Sequence, residues 1–188
     1  MADINIRIPK RNLKVLRRAR LLDLLHNNIH RKLSFICAPA GYGKTTLLVD
    51  FAEDVDAEIF WYRILEQDTS LAAFYESLVQ AFQVKIPSFG SNQEGLSQTG
   101  DHTPRSLAIS LAAIIEESID LYSIMVIDDY HIISDDPVIN DFMDTFLEFL
   151  PDQLRILIGS RSVYGIPTAA LYIQEQLSVI SSSELAFI

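Results

Sequence analysis

One segment of the chain joins two glycines, a lysine and two threonines directly to a short apolar run. The apolar run is LSFIC, residues 33–37, and the segment is APAGYGKTT, residues 38–46. Glycines at 41 and 43 permit tight turns and leave no Cβ in the way of a bound group. The residues that follow, KTTLLVDFAED, place their apolar side chains on one helical face. The segment therefore predicts a buried strand, a tight loop and the start of a helix.

A loop of this kind at the start of a helix is suited to binding a chain of phosphates. The unpaired N–H groups of the first turn and the positive end of the helix dipole point at one place. Lys44 adds a full charge toward the β- and γ-phosphates, and the Thr45 hydroxyl can coordinate Mg²⁺. The predicted nucleotide-binding residues are Ala38, Pro39, Ala40, Gly41, Tyr42, Gly43, Lys44, Thr45 and Thr46.

Strands and helices alternate along the rest of the chain. Short runs of apolar and β-branched residues predict strands at 33–38, 58–64, 123–129, 154–161 and 177–180. Helical periodicity predicts helices at 18–32, 44–54 and 70–82, after the caps Thr103 and Asp136, and at 168–176. The helix after Asp136 is expected to bury Val138, Phe142, Phe146 and Phe149. Strands separated by helices predict an α/β fold, with a parallel sheet and helices on both faces.

The composition changes in two places and divides the chain. Residues 84–103 hold three glycines among serine, glutamine and asparagine, which predicts a long, mobile loop. Residues 1–32 carry nine bases and two acids, a net charge of +7, whereas residues 33–188 carry six bases and 23 acids, a net charge of −17. The predicted domains are a basic N-terminal strap with a helix, 1–32, and a core, 33–188.

The charge pattern bears on possible partners. An acidic body repels a phosphate backbone, so we expect no direct DNA binding by the core. The basic residues 1–32 are either a nucleic-acid arm or, the favoured interpretation, the solvated face of a helix. No apolar run approaches the ~20 residues of a membrane span, and the N-terminus has no apolar signal core. With a single cysteine, Cys37, the chain is expected to be cytoplasmic.

A second group of candidate residues follows the most apolar strand, SIMVIDD. Ligands of parallel sheets bind at the carboxyl ends of the strands, where Asp128 and Asp129 stand. Asp128 would hold Mg²⁺ through water, and Asp129 would orient or deprotonate an attacking water. The alternative is a polar strand exit without a chemical role. The predicted metal ligands are therefore Thr45 and Asp128.

The segment GSR closes the next strand and ends in Arg161. An arginine there can sense or neutralise a γ-phosphate, or it can be an ordinary surface residue. His131, two residues beyond Asp129, either fixes its loop through a hydrogen bond, the favoured interpretation, or takes part in the chemistry. The predicted catalytic residues are Lys44, Asp129 and Arg161.

Four stretches of the chain resemble a known family. FICAPAGYGKTTLLVDFA, FWYRILEQD, IMVIDDYHIISDDPV and LRILIGSRSVYGIP are similar to the nucleotide-binding domain of MalT-like, LuxR-type ATP-dependent transcriptional regulators. These are P-loop NTPases of the STAND class of signal-transduction ATPases. The resemblance implies Walker A and Walker B motifs, a three-layer fold with sheet order 5-1-4-3-2, and Arg161 beside Lys44 and Asp128. It also implies an N-terminal strap that contacts the nucleotide base through an arginine, which corresponds to Arg18.

The resemblance implies an ATP-binding switch that hydrolyses ATP slowly, with ATP or ADP and Mg²⁺ as cofactors. Self-association in the ATP state of the full-length protein is expected. The family continues into winged-helix, repeat-sensor and DNA-binding domains, which are absent here, so the chain is expected to be either a truncated piece of such a regulator or a stand-alone short protein. Two other functions stay open on the residues alone. One is a small P-loop kinase of a nucleoside or metabolite, for which residues near the C-terminus offer only Arg155 and Arg161 as lid arginines. The other is a nucleotide-binding scaffold without turnover.

Overall fold

Five strands form one parallel sheet in a computed structural model that describes residues 4–12, 14–91, 103–163, 165 and 168–186. The strands are β1 (Leu33–Cys37), β2 (Glu58–Arg63), β3 (Ser123–Asp128), β4 (Leu154–Ser160) and β5 (Leu177–Ile180). Hydrogen-bonded neighbours follow the order β2-β3-β4-β1-β5, and every pair is parallel. This is the predicted order 5-1-4-3-2 counted from the other edge, so the predicted fold class is confirmed.

Helices cover both faces of the sheet. They are α1 (Ala19–Asn28), α2 (Lys44–Asp54), α3 (Leu71–Gln83), α4 (Pro104–Ser118), α5 (Pro137–Glu148), α6 (Thr168–Ile173) and α7 (Ser182–Leu185). Apolar residues of α1 and α2 form one buried cluster with one face, and those of α3, α4 and α5 form a second with the other. In the part of the chain that the structure describes, no helix combines the length and apolar character needed to cross a bilayer.

Strand β2 shows how one strand serves both clusters. Phe60 and Tyr62 belong to the cluster of α3, α4 and α5, whereas Ile59 and Trp61 belong to that of α1 and α2. Successive side chains of a strand point to opposite faces, so a continuous apolar run is needed where both faces are covered. The sheet is therefore buried from both sides, and polar side chains concentrate where its strands end.

Two helix starts that the sequence predicts are confirmed by their caps. The Thr103 hydroxyl accepts a hydrogen bond from the backbone N–H of Ser106 at 3.1 Å. Asp136 Oδ1 accepts from the N–H groups of Val138 and Ile139 at 2.8 and 3.0 Å. These side chains satisfy N–H groups that have no partner within the helix, which fixes where α4 and α5 begin.

The buried face of α5 differs from the prediction. Val138 and Phe149 were expected inside, but they are exposed. The buried residues of the helix include Ile139, Phe142, Met143 and Phe146. This set follows the i, i+3, i+4, i+7 spacing of a single helical stripe. Val138 lies beside that stripe in the first turn, and Phe149 is the C-cap, beyond the last residue of the helix.

The segment predicted as a loop begins with ordered turns. Phe89 is buried, and its ring stacks on that of Phe82 with centroids 4.6 Å apart. Gln83 Nε2 donates to the backbone carbonyl of Phe89 at 2.9 Å. Residues 92–102 of the predicted loop lie outside the described residues, so its mobility stays a prediction.

The strap, residues 4–12 and 14–18, connects the β2 edge of the sheet to α2. Its first turn, Ile4–Ile6, contacts β2 and α3. Arg11 Nε then lies 2.6 Å from Asp50 Oδ1, and an Arg17 amine lies 2.7 Å from Asp54 Oδ1. These two arginines precede α1 and pair with acids of α2, so the interpretation as a solvated helix face is wrong for them.

Candidate functional site

The loop between β1 and α2 turns through two glycines in left-handed conformation. Gly41 has φ +86° and Gly43 has φ +75°. This left-handed conformation is sterically unfavourable for residues that carry a Cβ. Gly43 is also the N-cap of α2, and it has no side chain to occupy the first N–H groups of the helix. Residues 39–42 of the loop are exposed. The predicted nucleotide-binding residues 38–46 thus form one strand, loop and helix start that is open on its outer side.

Lys44 is a buried cation under this loop. The residue is only 7% exposed, and its Nζ donates to the carbonyls of Ala38 at 2.7 Å and Pro39 at 3.0 Å. Burial is the main cause that lowers the pKa of Lys44, and the charge of Arg161 adds to it, while the charges of Asp128 and Asp129 act in the opposite direction. A buried ammonium whose hydrogen bonds go to neutral carbonyls favours the arrival of an anion.

Thr45 and Asp128 meet directly. The Thr45 hydroxyl donates to Asp128 Oδ2 at 2.6 Å, and the other oxygen, Oδ1, accepts from the backbone N–H of Asp129 at 3.0 Å. Asp128 is completely buried at the end of β3. A hydroxyl and a carboxylate side by side are oxygen ligands of the kind that Mg²⁺ takes, so these two residues fit the metal that the sequence predicts.

Burial raises the pKa of Asp128, and the hydrogen bond from Thr45 acts against that rise. A folded-state pKa above the unfolded value means that the ionised side chain lowers stability at neutral pH and not below the unfolded pKa. Asp128→Asn in the nucleotide-free chain should therefore raise the Tm at pH 7.

This gain should shrink as the pH falls toward about 4, the unfolded pKa of aspartate. Calorimetric melting from pH 4 to 8 measures it, with the exposed Asp152→Asn as a control that removes the same charge. A lower Tm at pH 7, or a gain that does not change with pH, would contradict the prediction.

Strand β3 ends at Asp128, because the next residue, Asp129, has a left-handed backbone with φ +60°. The prediction that the strand continues through residue 129 is therefore wrong by one residue. Its carboxylate lies between two side chains: Oδ2 is 2.9 Å from Arg63 Nε, at the end of β2, and Oδ1 is 4.0 Å from His131 Nδ1. The left-handed turn thus directs Asp129 along the carboxyl edge of the sheet.

Arg161 and His131 complete the charged edge. Arg161 is exposed directly after β4, and its charge lowers the pKa of both Lys44 and His131. Burial is the larger cause for His131. The Nδ1 atom of His131 is buried without a hydrogen-bond partner among the described residues, while its backbone carbonyl accepts from the Ser134 hydroxyl at 3.3 Å. The sheet order, with β4 between β1 and β3, brings these residues together.

Arg18 reaches the glycine loop from the strap. One amine of its guanidinium donates to the carbonyls of Tyr42 and Gly43, both at 3.2 Å, and the other donates to the carbonyl of Leu185 at 3.0 Å. The side chain therefore connects the loop to α7. The sequence predicts that Arg18 contacts a nucleotide, and its contacts to the loop put it beside the predicted site.

A small cavity separates the strap from the first turns of α2. Its volume is about 100 Å³, and it is lined by Pro9, Lys10, Arg11, Asn12, Thr45, Thr46 and Val49. The ion pair of Arg11 with Asp50 holds the strap over it. The cavity is continuous with Thr45 and Thr46, so it lies next to the predicted phosphate loop.

Two residues of the site are missing from the sequence prediction. Arg63 pairs with Asp129. Gly159 lies so close to Asp128 that a Cβ at this position would stand 2.6 Å from Asp128 Oδ1. A glycine inside the apolar run LRILIGS is a signal for close approach and could have indicated the second. No comparable signal marks Arg63.

Comparisons with known proteins identify the family to which the chain belongs. A family model described as an AAA domain matches residues 27–167. The HTH-type transcriptional regulator MalT of Yersinia pestis (strain Pestoides F) is 35% identical over 170 residues, 90% of this chain and 19% of that protein. MalT of Cronobacter sakazakii (strain ATCC BAA-894) is 34% identical with the same coverage. The chain spans 19% of the length of these relatives.

Two solved structures share the fold. A Signal Transduction ATPase with Numerous Domains (STAND) protein with a tetratricopeptide repeat sensor, from Pyrococcus horikoshii, has a TM-score of 0.57 at 17% identity. It covers 92% of this chain, which corresponds to 24% of that chain. A Walker-type ATPase of Pyrococcus abyssi has a TM-score of 0.51 at 13% identity and covers 96% of this chain and 57% of its own.

The parallel sheet, the glycine loop and the residues at its edge define a P-loop nucleoside triphosphatase fold. The chain belongs to the AAA domain family and is similar in sequence to MalT. It shares its fold with a STAND protein. The resemblance that the sequence motifs indicate is therefore confirmed.

Proposed function

We propose that this domain binds ATP and ADP together with Mg²⁺, hydrolyses ATP slowly and serves as a nucleotide-dependent switch. The observation that carries the proposal is the 2.6 Å contact between Thr45 and Asp128 beside the buried Lys44. It brings a hydroxyl, a carboxylate and an ammonium to the carboxyl edge of the sheet. These are the groups that a metal-bound triphosphate needs.

The Walker A segment, residues 38–46, would bind the phosphates. The first N–H groups of α2 would bind phosphate oxygens. Such oxygens would also replace the carbonyls of Ala38 and Pro39 as partners of the Lys44 Nζ. Thr45 would hold Mg²⁺ directly, and Asp128 of the Walker B segment would hold it through water. When bound, the metal supplies neutralisation of the charge on the β- and γ-phosphate oxygens.

The cavity under the strap is the place for the adenine base. It begins at Thr45 and Thr46, where the phosphate loop ends, and its strap side is formed by residues 9–12. Arg18 would act on the nucleotide from the side of the loop, since it donates to the carbonyls of Tyr42 and Gly43.

Turnover would depend on Asp129 and Arg161. Asp129 Oδ1 would orient a water molecule toward the γ-phosphate and accept a hydrogen bond from it. Arg161, whose charge already acts on Lys44, would stabilise the charge of the transferring phosphoryl group. The alternative function as a kinase gains no support from the described residues beyond Arg161.

The switch function rests on the relatives. MalT is a transcriptional regulator by name, and the Pyrococcus horikoshii protein is a signal-transduction ATPase with a repeat sensor. We propose that the ATP state of the full-length protein self-associates and that hydrolysis returns it to the ADP state. The AAA domain itself would contribute no DNA contact.

Calorimetric titration with ADP and ATP, with and without Mg²⁺, tests the binding function. Release of inorganic phosphate tests turnover, and light scattering with ATP and with ADP tests self-association. Binding without phosphate release would indicate a scaffold module. Transfer of labelled phosphate to a metabolite would indicate a kinase, and no binding of either nucleotide would refute the proposal.

Asp129→Asn should preserve nucleotide binding and abolish most turnover. The amide keeps the size of the carboxylate but loses its charge and its ability to orient water through two acceptor oxygens. We expect kcat to fall by about 10²-fold or more, within the range for loss of a base, with ADP affinity within about twofold of the parent, as expected for a group that acts mainly in the transition state. Phosphate release and calorimetry on the same preparation measure both, and unchanged turnover would remove Asp129 from this role.

A further inference from the structure

The ion pair between Arg63 and Asp129 spans two neighbouring strands. Arg63 is the last residue of β2, and the sheet register places it opposite Asp128 on β3. Its Nε lies 2.9 Å from Asp129 Oδ2. The carboxylate that the proposed function uses to orient water is therefore fixed by a cation from the adjacent strand.

Only one of the two carboxylate oxygens is used by this pair. The other, Oδ1, is the one nearer to His131, at 4.0 Å from Nδ1. Burial lowers the pKa of His131, and the positive charges of Arg161 and Lys44 lower it further. Arg63 thus binds Oδ2 and leaves Oδ1 on the side of His131.

The backbone of β2 does not need this side chain. The ladder between β2 and β3 continues past Arg63, since the N–H of Ile64 donates to the carbonyl of Asp128 at 3.0 Å. The Arg63 side chain is half exposed, and exposed ion pairs add little to stability. A purely structural explanation for the arginine is therefore weak.

We infer that Arg63 is a positioning residue for hydrolysis: it holds Asp129 Oδ2 so that Oδ1 faces the water that attacks the γ-phosphate. This inference rests on the proposed ATPase function. The transition state of phosphoryl transfer is loose, so the carboxylate contributes mainly by orienting the water. The ion pair with Arg63 neutralises part of the charge of the Asp129 carboxylate. Because the carboxylate acts mainly by orienting the water, a guanidinium that fixes its orientation still aids turnover.

Three variants test the role of Arg63. Arg63→Gln should lower kcat by about tenfold or more, since small misplacements of reacting groups cost up to about 10²-fold. The KM for ATP and the affinity for ADP should stay within about twofold, because the pair acts on the water and not on the nucleotide. Arg63→Lys should restore part of kcat, since it returns the charge without the planar fork. Arg105→Gln, an exposed arginine paired with Glu148, is the matched control and should leave kcat unchanged.

A readout without nucleotide separates positioning from other effects. In crystal structures of the nucleotide-free variants, the Asp129 carboxylate should leave its place in Arg63→Gln and keep it in Arg63→Lys. In an Asp129→Asn background, single-turnover rates should show no further loss from Arg63→Gln, because both changes remove one shared function.

Several results would overturn the inference. A higher kcat in Arg63→Gln would show that the ion pair slows hydrolysis. An unchanged kcat, or a loss of the same size in the Asp129→Asn background, would show that Arg63 does not act through Asp129. A parent chain that binds nucleotide without turnover would refute positioning and leave nucleotide binding intact. A parent chain that binds no nucleotide would instead refute the proposed function itself.

Discussion

Replacing Lys44 with alanine should abolish measurable nucleotide binding and leave the chain folded. The Lys44 ammonium is buried beneath the loop of residues 38–43, and it would bring a full positive charge into contact with the phosphates. Removing one partner of a buried charge pair costs about 2–5 kcal/mol, so ADP affinity should fall at least about 30-fold. Calorimetric titration with ADP and Mg²⁺ measures the loss.

The stability of this variant should change little, because burial already lowers the pKa of Lys44 and its hydrogen bonds go to two neutral carbonyls. Lys85→Ala is the matched control: this lysine pairs with Glu58 at 3.6 Å, at the start of β2, away from the carboxyl edge of the sheet. It should bind ADP like the parent. A Lys44→Ala chain that melts normally and keeps its ADP affinity would place the phosphates elsewhere.

The sequence was sufficient for the parts of the site that are local. The loop, Lys44 and Thr45 are contiguous, so their geometry follows from the turn through Gly41 and Gly43 and from the start of α2. The position of Asp128 followed from a general rule, since the carboxyl ends of parallel strands meet at one edge. The 2.6 Å contact between Thr45 and Asp128 agrees with both.

Contacts that depend on register and on single dihedral angles could not be predicted. The pair of Arg63 with Asp129 requires the alignment of β2 with β3 and the left-handed backbone at residue 129. Arg18 was linked to the nucleotide by resemblance, yet its contacts to the carbonyls of Tyr42 and Gly43 depend on the path of the strap. Neither distance is encoded in a local pattern.

Gly159→Ala should damage the site from within the sheet. A Cβ at this position would stand 2.6 Å from Asp128 Oδ1 and 2.8 Å from Leu48 Cδ1, and both side chains are completely buried. Distances below 3 Å force one neighbour to move, and overpacking of this kind costs about 1–3 kcal/mol. Urea unfolding should show this loss. Calorimetry should show that Mg²⁺ no longer strengthens ATP binding, because Asp128 is pushed away from Thr45.

A double-mutant cycle with Asp128→Ala identifies the cause. Removing the carboxylate leaves only the contact with Leu48, so Gly159→Ala should cost less stability in that background than in the parent. Equal costs in both backgrounds would show that the methyl group disturbs α2 through Leu48 and not the metal ligand. The absence of a side chain at residue 159 is thus a condition for the geometry of Asp128. A site built by close approach of neighbouring strands depends on such small residues as much as on its charged ones.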